Sequence, residues 1–228
     1  MKKQLLMMIG PQGSGNHIFS RMFSLHPEVY GWKDLQDHYW IKHGRAPFAD
    51  FYIFPHLLTQ EEFDKNYDGW QYYFANCSYP FGMHGVRYEP KILEFCQRFS
   101  SFGFEVKIVV IVRDEIINRL QQQRLRNKET IDSMKKYLDE VLLPSEFPVH
   151  FVSLESFFSY KQTYLKYISN ILEFPIDFNN PEILKFIDES PNKKYIVPAD
   201  SHSGDSLSRI GIDMSDMTDP NYIFSDNG

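Results

Sequence analysis

The sequence predicts an α/β fold: a three-layer arrangement in which a parallel sheet carries helices on both faces. Two strongly apolar runs, at residues 4–9 and 106–112, are typical of central strands that are covered on both sides. A third strand is predicted over VHFVSL at 149–154. Helical patterns separate these strands, and strands that alternate with helices favour a parallel sheet of this kind.

The helices are predicted in chain order from their apolar spacing and their end signals. Residues 15–25 carry apolar side chains along one side. Thr59 followed by Glu62 forms a capping box, which predicts a short helix that ends near Asp68-Gly69. Further helices are predicted at 89–102 with Gly103 just beyond, over the charged run that starts at Arg113, at 128–142, at 156–173 and near 181–189.

The 228 residues are enough for one ordinary domain, which we expect to span residues 1–195. Beyond residue 196 the chain becomes polar and rich in Ser, Asp and Gly. We expect this tail, residues 196–228, to be loosely held or to lie across the domain.

Composition and charge exclude several classes of partner. A formal net charge of -6 gives no general attraction to nucleic acid or to an anionic membrane. No run has the length of a membrane span, and the apolar part of MKKQLLMMIG is too short for a signal peptide. Cys77 and Cys96 share no metal-like spacing and are expected to be free thiols in a reducing compartment. The predicted location is therefore the cytoplasm.

A glycine-rich loop stands between the first strand and the first helix, in MMIGPQGSGNHIFSRMF at 7–23. Gly10, Gly13 and Gly15 permit a tight turn whose backbone N–H groups point inward, and the following helix adds its positive end. Such a loop binds an oxyanion without a charged side chain. The alternative is a glycine-rich turn that holds no ligand.

The loop lacks the two side chains that nucleotide phosphoryl transfer uses. The common phosphate-binding loop has Lys and then Ser or Thr after its last glycine, to hold the transferring phosphate and Mg²⁺. Here Asn16 and His17 occupy those positions. The pattern argues against ordinary kinase chemistry and favours transfer of an anionic group without a metal.

Four motifs, in order over most of residues 4–175, resemble the sulfotransferases that use 3'-phosphoadenylyl sulfate (PAPS). The resemblance is strongest to the branch that acts on heparan-type sugars and to its bacterial and phage relatives. The motifs are GPQGSGNH at 10–17, FSLHPEV at 23–29, IVVIVRDEIINRLQ at 108–121 and VSLESFFSYKQTYLKYISNILEFP at 152–175.

The resemblance implies a nucleotide site. Backbone groups of the loop would hold the 5'-phosphosulfate. These groups belong to Gly10, Gly13, Ser14, Gly15, Asn16 and His17. Arg113 would contact the 3'-phosphate, for which its forked donors are suited. Gln121 stands where the family has a serine for the same phosphate, and its amide also donates a hydrogen bond. The alternative for Arg113 is a surface charge after a strand.

The resemblance also implies catalytic and acceptor residues. The family's catalytic base corresponds to Asp34 in WKDLQDHYW, with Asp37 as the competitor and a solvated carboxylate as the alternative. Arg87 in GVRYEP is a loose counterpart of a lysine in the acceptor region. Lys193 and Lys194 match a basic loop over the nucleotide by position only, and a solvated pair is the other interpretation.

Gly13 stands where the family has the lysine that steadies the leaving oxygen, so the developing negative charge lacks its nearest cation. The candidates for a replacement are His17, Arg21 and Lys33. We favour His17, because it lies at the helix start and can donate a hydrogen bond or a proton there. The alternative is that the His17 side chain touches nothing.

The predicted function is metal-independent transfer of a sulfuryl group from PAPS to a hydroxyl of a sugar or small-molecule acceptor. Asp34 would act as base and His17 as electrophilic helper. Aromatic residues within 38–88 are predicted to line an acceptor groove. The alternative is that they belong to the hydrophobic core. One alternative is an atypical P-loop kinase that uses ATP and Mg²⁺, with Asp114 as metal ligand. Another is a non-catalytic protein that binds a nucleotide or anion. The acceptor and the oligomeric state stay open.

Overall fold

The structure is a computed structural model that describes residues 2–31, 47–83, 86–126 and 129–188. Its main element is a five-stranded sheet in which every neighbouring pair is parallel. The strand order is β2-β3-β1-β6-β7, and β4 and β5 form a separate antiparallel pair. The strands are β1 (Gln4–Pro11), β2 (Val29–Tyr30), β3 (Tyr72–Tyr79), β4 (Phe81–Met83), β5 (Val86–Tyr88), β6 (Glu105–Val112) and β7 (Val149–Ser153).

The helices follow the predicted order closely. Thr59 caps the second helix as predicted, since its hydroxyl accepts a hydrogen bond from the backbone N–H of Glu62 at 3.1 Å. The backbone of the long sixth helix is interrupted at Lys161, which has a φ of 48°. The helices are α1 (Asn16–Ser24), α2 (Gln60–Asn66), α3 (Ile92–Ser101), α4 (Glu115–Arg126), α5 (Ile131–Tyr137, continued by the π-helical Leu138–Leu142), α6 (Leu154–Leu172) and α7 (Pro181–Asp188).

Successive residues of the central strand β1 enter two different cores. Leu5, Met7 and Ile9 pack on one face of the sheet with residues of α2, α3 and α5. Leu6 and Met8 pack on the other face with residues of α1, α6 and α7. This alternation buries both faces, as a parallel sheet requires. The predicted fold class is confirmed: a parallel sheet with helices on both faces and the glycine loop between β1 and α1.

Strand β3 is the main element that the sequence did not predict. It lies between β1 and β2, and Leu5 of β1 pairs with its Tyr73. Tyr73 and Phe74 are fully buried. Phe48 and Tyr52, from the preceding aromatic segment, are buried as well. For these rings the core interpretation is correct and the acceptor-groove interpretation is wrong.

Several predictions concern parts of the chain that are not described. The boundary at residue 195 and the tail 196–228 lie outside the described residues, so the domain prediction stays a prediction.

Cys77 and Cys96 are buried free thiols. Among the helices in the described ranges, none combines the length and the apolar character needed to cross a membrane.

Candidate functional site

The glycine loop lies at the carboxyl end of the sheet, between β1 and α1. On one side of β1, Gly10 is paired with Ser78 of β3, and on the other side Ile9 is paired with Val110 of β6. The chain first builds the β3 side of the sheet and then crosses to the β6 side. Parallel sheets bind ligands outside the carboxyl ends of their strands at such a switch point.

Two glycines shape the loop. Gly13 has a φ of 82° and Gly15 a φ of 102°, a left-handed backbone region that glycine adopts without steric cost. The N–H of Ser14 closes the turn by donating to the Pro11 carbonyl at 3.1 Å. Gly15 is the N-cap of α1, no side-chain bond caps this end, and the first turn holds no acidic residue. The positive end of α1 is therefore suited to an anion.

The polar side chains of Ser14 and Asn16 point into the protein and not into solvent. Ser14 and Asn16 are both buried. The Asn16 amide donates to the Pro11 carbonyl at 3.3 Å, and the Asn76 amide of β3 donates to the Asn16 carbonyl at 2.9 Å. These contacts hold the loop in place. Because the Ser14 N–H already donates to the Pro11 carbonyl, any contribution of Asn16 to a ligand would come from its own backbone N–H group.

Arg113 reaches the loop from the end of β6. Its Nη1 donates to the Gly13 carbonyl and also to the side-chain oxygen of Gln121 on α4. The structure thus brings both predicted nucleotide residues, Arg113 and Gln121, to the predicted loop. In this arrangement the guanidinium contacts the loop backbone directly.

Two further amides of α4 lie against the loop, and sequence reasoning missed both. Gln122 is completely buried; its amide donates to the Gln12 carbonyl, and its side-chain oxygen accepts from the N–H of Thr130 at 2.7 Å. Asn118 is 1% exposed, and its Oδ1 lies 3.1 Å from the point where a Cβ on Gly13 would stand. Asn118 and Gln122 are four residues apart on one helix side, a spacing that could have indicated a polar face toward the loop.

The remaining predicted catalytic and acceptor residues are placed only in part. His17 is half-buried in the first turn of α1, where the sequence predicted it. Arg87 is exposed on β5, and no described hydrogen bond or ion pair joins it to the loop. Asp34, with its competitor Asp37, lies outside the described residues. The same holds for Lys33, Lys193 and Lys194.

A carboxylate that the sequence did not single out stands near the end of β3. The Tyr79 hydroxyl donates to Glu89 at 2.6 Å, and the Tyr79 residue itself pairs with Pro11 at the start of the loop. Burial, and then the bond to Glu89, raises the pKa of Tyr79 well above its ordinary value. The Tyr79 hydroxyl therefore stays protonated and fixes the exposed Glu89 carboxylate beside this edge of the sheet.

Asp114, the metal ligand of the kinase alternative, has a role within the helix. Its Oδ1 accepts from the N–H of Ile117 at 2.9 Å, as an N-cap residue does, while its own N–H donates to Glu155. Within the described ranges, no group of three or more His, Cys, Asp or Glu side chains is arranged to hold a metal ion.

Comparisons with known proteins give a likeness of fold and no more. No protein-family model matches the chain, and no curated protein matches it in sequence. Among solved structures, the chain is similar to the sulfotransferase domain from the Synechococcus PCC 7002 olefin synthase, with a TM-score of 0.42 and 13% identity. The match covers 84% of this chain and 83% of that one. A likeness of this size is no evidence for a shared reaction.

Proposed function

We propose that this protein transfers a sulfuryl group from PAPS to a hydroxyl group of a sugar or small-molecule acceptor. The observation that carries the proposal is the anion cradle at the switch point of the sheet. Gly13 and Gly15 turn the backbone toward the uncapped end of α1, and Arg113 adds a positive charge at the same loop. Asp114, the metal ligand of the kinase alternative, uses its side chain as a helix cap.

The residues of the loop fit the 5'-phosphosulfate end of such a donor. That group is an anion before, during and after transfer, so backbone N–H groups and a helix end suit it at every stage. The first turn of α1 contains no acidic residue that would repel it. When bound, PAPS would supply an electrophilic sulfur with a phosphate leaving group.

In the proposed reaction the acceptor oxygen forms a bond to sulfur while the bond from sulfur to the bridging phosphate oxygen breaks. The hydroxyl proton passes to a carboxylate, for which Asp34 is the proposed base. His17 at the start of α1 is proposed to donate a hydrogen bond to the departing oxygen. The products are the sulfated acceptor and adenosine 3',5'-bisphosphate.

Calorimetric titration tests the proposal most directly. The protein is titrated with adenosine 3',5'-bisphosphate without metal, and in parallel with ATP and Mg²⁺. We expect micromolar binding of the bisphosphate without metal, followed by label transfer from ³⁵S-PAPS in a screen of sugars and small alcohols. Binding of ATP only when Mg²⁺ is present would instead support a kinase. Bisphosphate binding with no transfer to any acceptor would support a non-catalytic nucleotide-binding protein.

A further inference from the structure

The glycine loop has no cationic side chain of its own. Between Gly10 and His17 the sequence contains neither Lys nor Arg. The described cation that is hydrogen-bonded to the loop comes from the neighbouring strand, since Arg113 Nη1 donates to the Gly13 carbonyl. We propose that Arg113 is the cation of the loop: it acts on the anion that the loop holds, and not on the 3'-phosphate of a nucleotide.

Gln121 is the residue that keeps Arg113 at the loop. A guanidinium nitrogen such as Nη1 carries two N–H donors. The two described acceptors of Nη1, the Gly13 carbonyl and the Gln121 side-chain oxygen, match this number. With both acceptors in place, the guanidinium head is held beside Gly13. Gln121 is thus a positioning residue that acts through Arg113.

The space beside Gly13 explains why the charge comes from another strand. Gly13 has a φ of 82°, which strains any residue with a side chain. A Cβ there would also stand 3.1 Å from Asn118 Oδ1 and 3.3 Å from the Gln121 side-chain carbon. Asn118 is buried, so it has little room to move away. A lysine side chain at position 13 would therefore not fit, and the positive charge is supplied by Arg113 at the end of β6.

The two possible roles of Arg113 predict different patterns of lost affinity. If Arg113 acts at the loop, its removal weakens every ligand that places an anion there. If it binds a 3'-phosphate, its removal weakens only ligands that carry that group. Three probes separate the roles: inorganic pyrophosphate, adenosine 5'-monophosphate and adenosine 3',5'-bisphosphate. Pyrophosphate tests the loop without any nucleoside.

The main variant is Arg113→Gln, which removes the charge and keeps a polar amide side chain at this position. We expect it to weaken all three probes by a similar factor of about tenfold or more, the range for a charge-assisted hydrogen bond. Arg113→Ala gives the same pattern and serves as a second variant if one of the two folds poorly. A loss confined to the bisphosphate, or no loss at all, would overturn the proposal.

Arg119→Ala is the matched control, because it removes the same charge from the adjoining helix α4, on the side that faces away from the loop. Its ion pairs are with Glu115, Glu129 and Asp132. We expect its affinity for pyrophosphate to stay within about twofold of the original protein, since the charge of Arg119 is balanced by these carboxylates and its field is screened by salt. A loss equal to that of Arg113→Gln would show that net charge alone matters, against the proposal.

Gln121→Ala tests the positioning role by a double-mutant cycle. Alone, it should weaken pyrophosphate less than Arg113→Gln does. In the Arg113→Gln background it should have no further effect, because Gln121 acts only through the arginine. Additive losses would contradict this role, whereas a merely structural glutamine would alter folding stability without the non-additive binding effect.

The inference rests on the proposed function only where it concerns a nucleotide ligand. The role of Arg113 at the anion does not depend on PAPS, so the two proposals can fail separately. If the protein binds pyrophosphate but neither adenosine compound, the PAPS proposal is wrong, and the pyrophosphate affinity of Arg113→Gln alone decides the role of Arg113. If the original protein binds none of the three probes, both proposals are overturned.

Discussion

Helix α4 has two polar sides that differ in kind. The inner amides, Asn118, Gln121 and Gln122, lie toward the glycine loop, and Asn118 and Gln122 are buried. The outer ion-pair cluster contains Arg119, which pairs with three carboxylates, and Lys135, which pairs with one of them. Those carboxylates are Glu115, Glu129 and Asp132.

The difference teaches how the helix can support an anion site. The inner amides are neutral, so Gln121 and Gln122 can hold Arg113 and the loop by hydrogen bonds without cancelling the positive charge there. The outer cluster brings two cations together with three carboxylates, so most of its charge is cancelled within the cluster. Buried amides are also costly to leave unpaired, while exposed ion pairs contribute little to stability. The two sides should therefore respond very differently to substitution.

The largest expected effect on stability comes from Gln122→Leu. This change would leave the Gln12 carbonyl and the Thr130 N–H buried without their present partner. We expect the free energy of unfolding to fall by about 2–3 kcal/mol, the cost of unsatisfied buried groups. Urea denaturation measures it.

The adjacent Gln123→Ala is the control for that experiment. Gln123 is exposed, and its amide donates to Glu129 in the outer cluster. We expect a change within about 0.5 kcal/mol, as for most surface substitutions. Equal losses for the two glutamines would mean that the inner and outer sides do not differ as described.

A smaller effect, on binding more than on folding, is expected for Gly13→Ala. The new Cβ would approach Asn118 Oδ1 in a left-handed backbone, so the loop must shift. We expect the affinity for pyrophosphate to fall by about tenfold, equivalent to about 1.4 kcal/mol. The measurement is calorimetric titration.

Gly103→Ala is a matched control for the backbone strain at Gly13. Gly103 has a φ of 86°, close to that of Gly13, but nothing lies within 4 Å of its Cβ position. We expect a similar strain penalty in thermal unfolding and unchanged pyrophosphate binding. If Gly13→Ala bound pyrophosphate as well as Gly103→Ala does, the crowding by the inner amides would be unimportant.

The smallest effect is expected for Arg119→Ala, and it should depend on pH. Lys135 first, and then Arg119, holds the pKa of Glu115 below its ordinary value, and Arg119 does the same for Asp132. A carboxyl whose pKa is lower in the folded state stabilises the protein above its unfolded pKa, and this contribution is lost as the pH falls through the folded pKa.

The melting temperature of Arg119→Ala should therefore be slightly below that of the original protein at neutral pH. The gap should narrow as the pH falls below about 4, where these carboxyl groups become protonated in the unfolded chain. Thermal unfolding between neutral and acid pH measures this trend. A gap that widens in acid would contradict the assigned ion pairs.

Local sequence patterns were sufficient for much of the fold. The runs that form β1 and β6 are strongly apolar, and Thr59 with Glu62 marks a helix start by short-range hydrogen bonding. Strand β3 was missed because YYFANCSY mixes rings with Asn and Ser and has neither an unbroken apolar run nor clean alternation. It becomes a strand through its pairing with β1, a contact between distant parts of the chain.

For the site, the sequence by itself determined the glycine loop and the arginine after β6, because backbone freedom and residue type are local properties. Only the tertiary structure decided where the Arg113 guanidinium lies and that Asn118 and Gln122 pack against the loop. It also decided that the rings at Phe48, Tyr52 and Tyr73 form core. These outcomes depend on which distant segments meet across the sheet, because burial and hydrogen-bond partners are set by packing and not by neighbours in sequence.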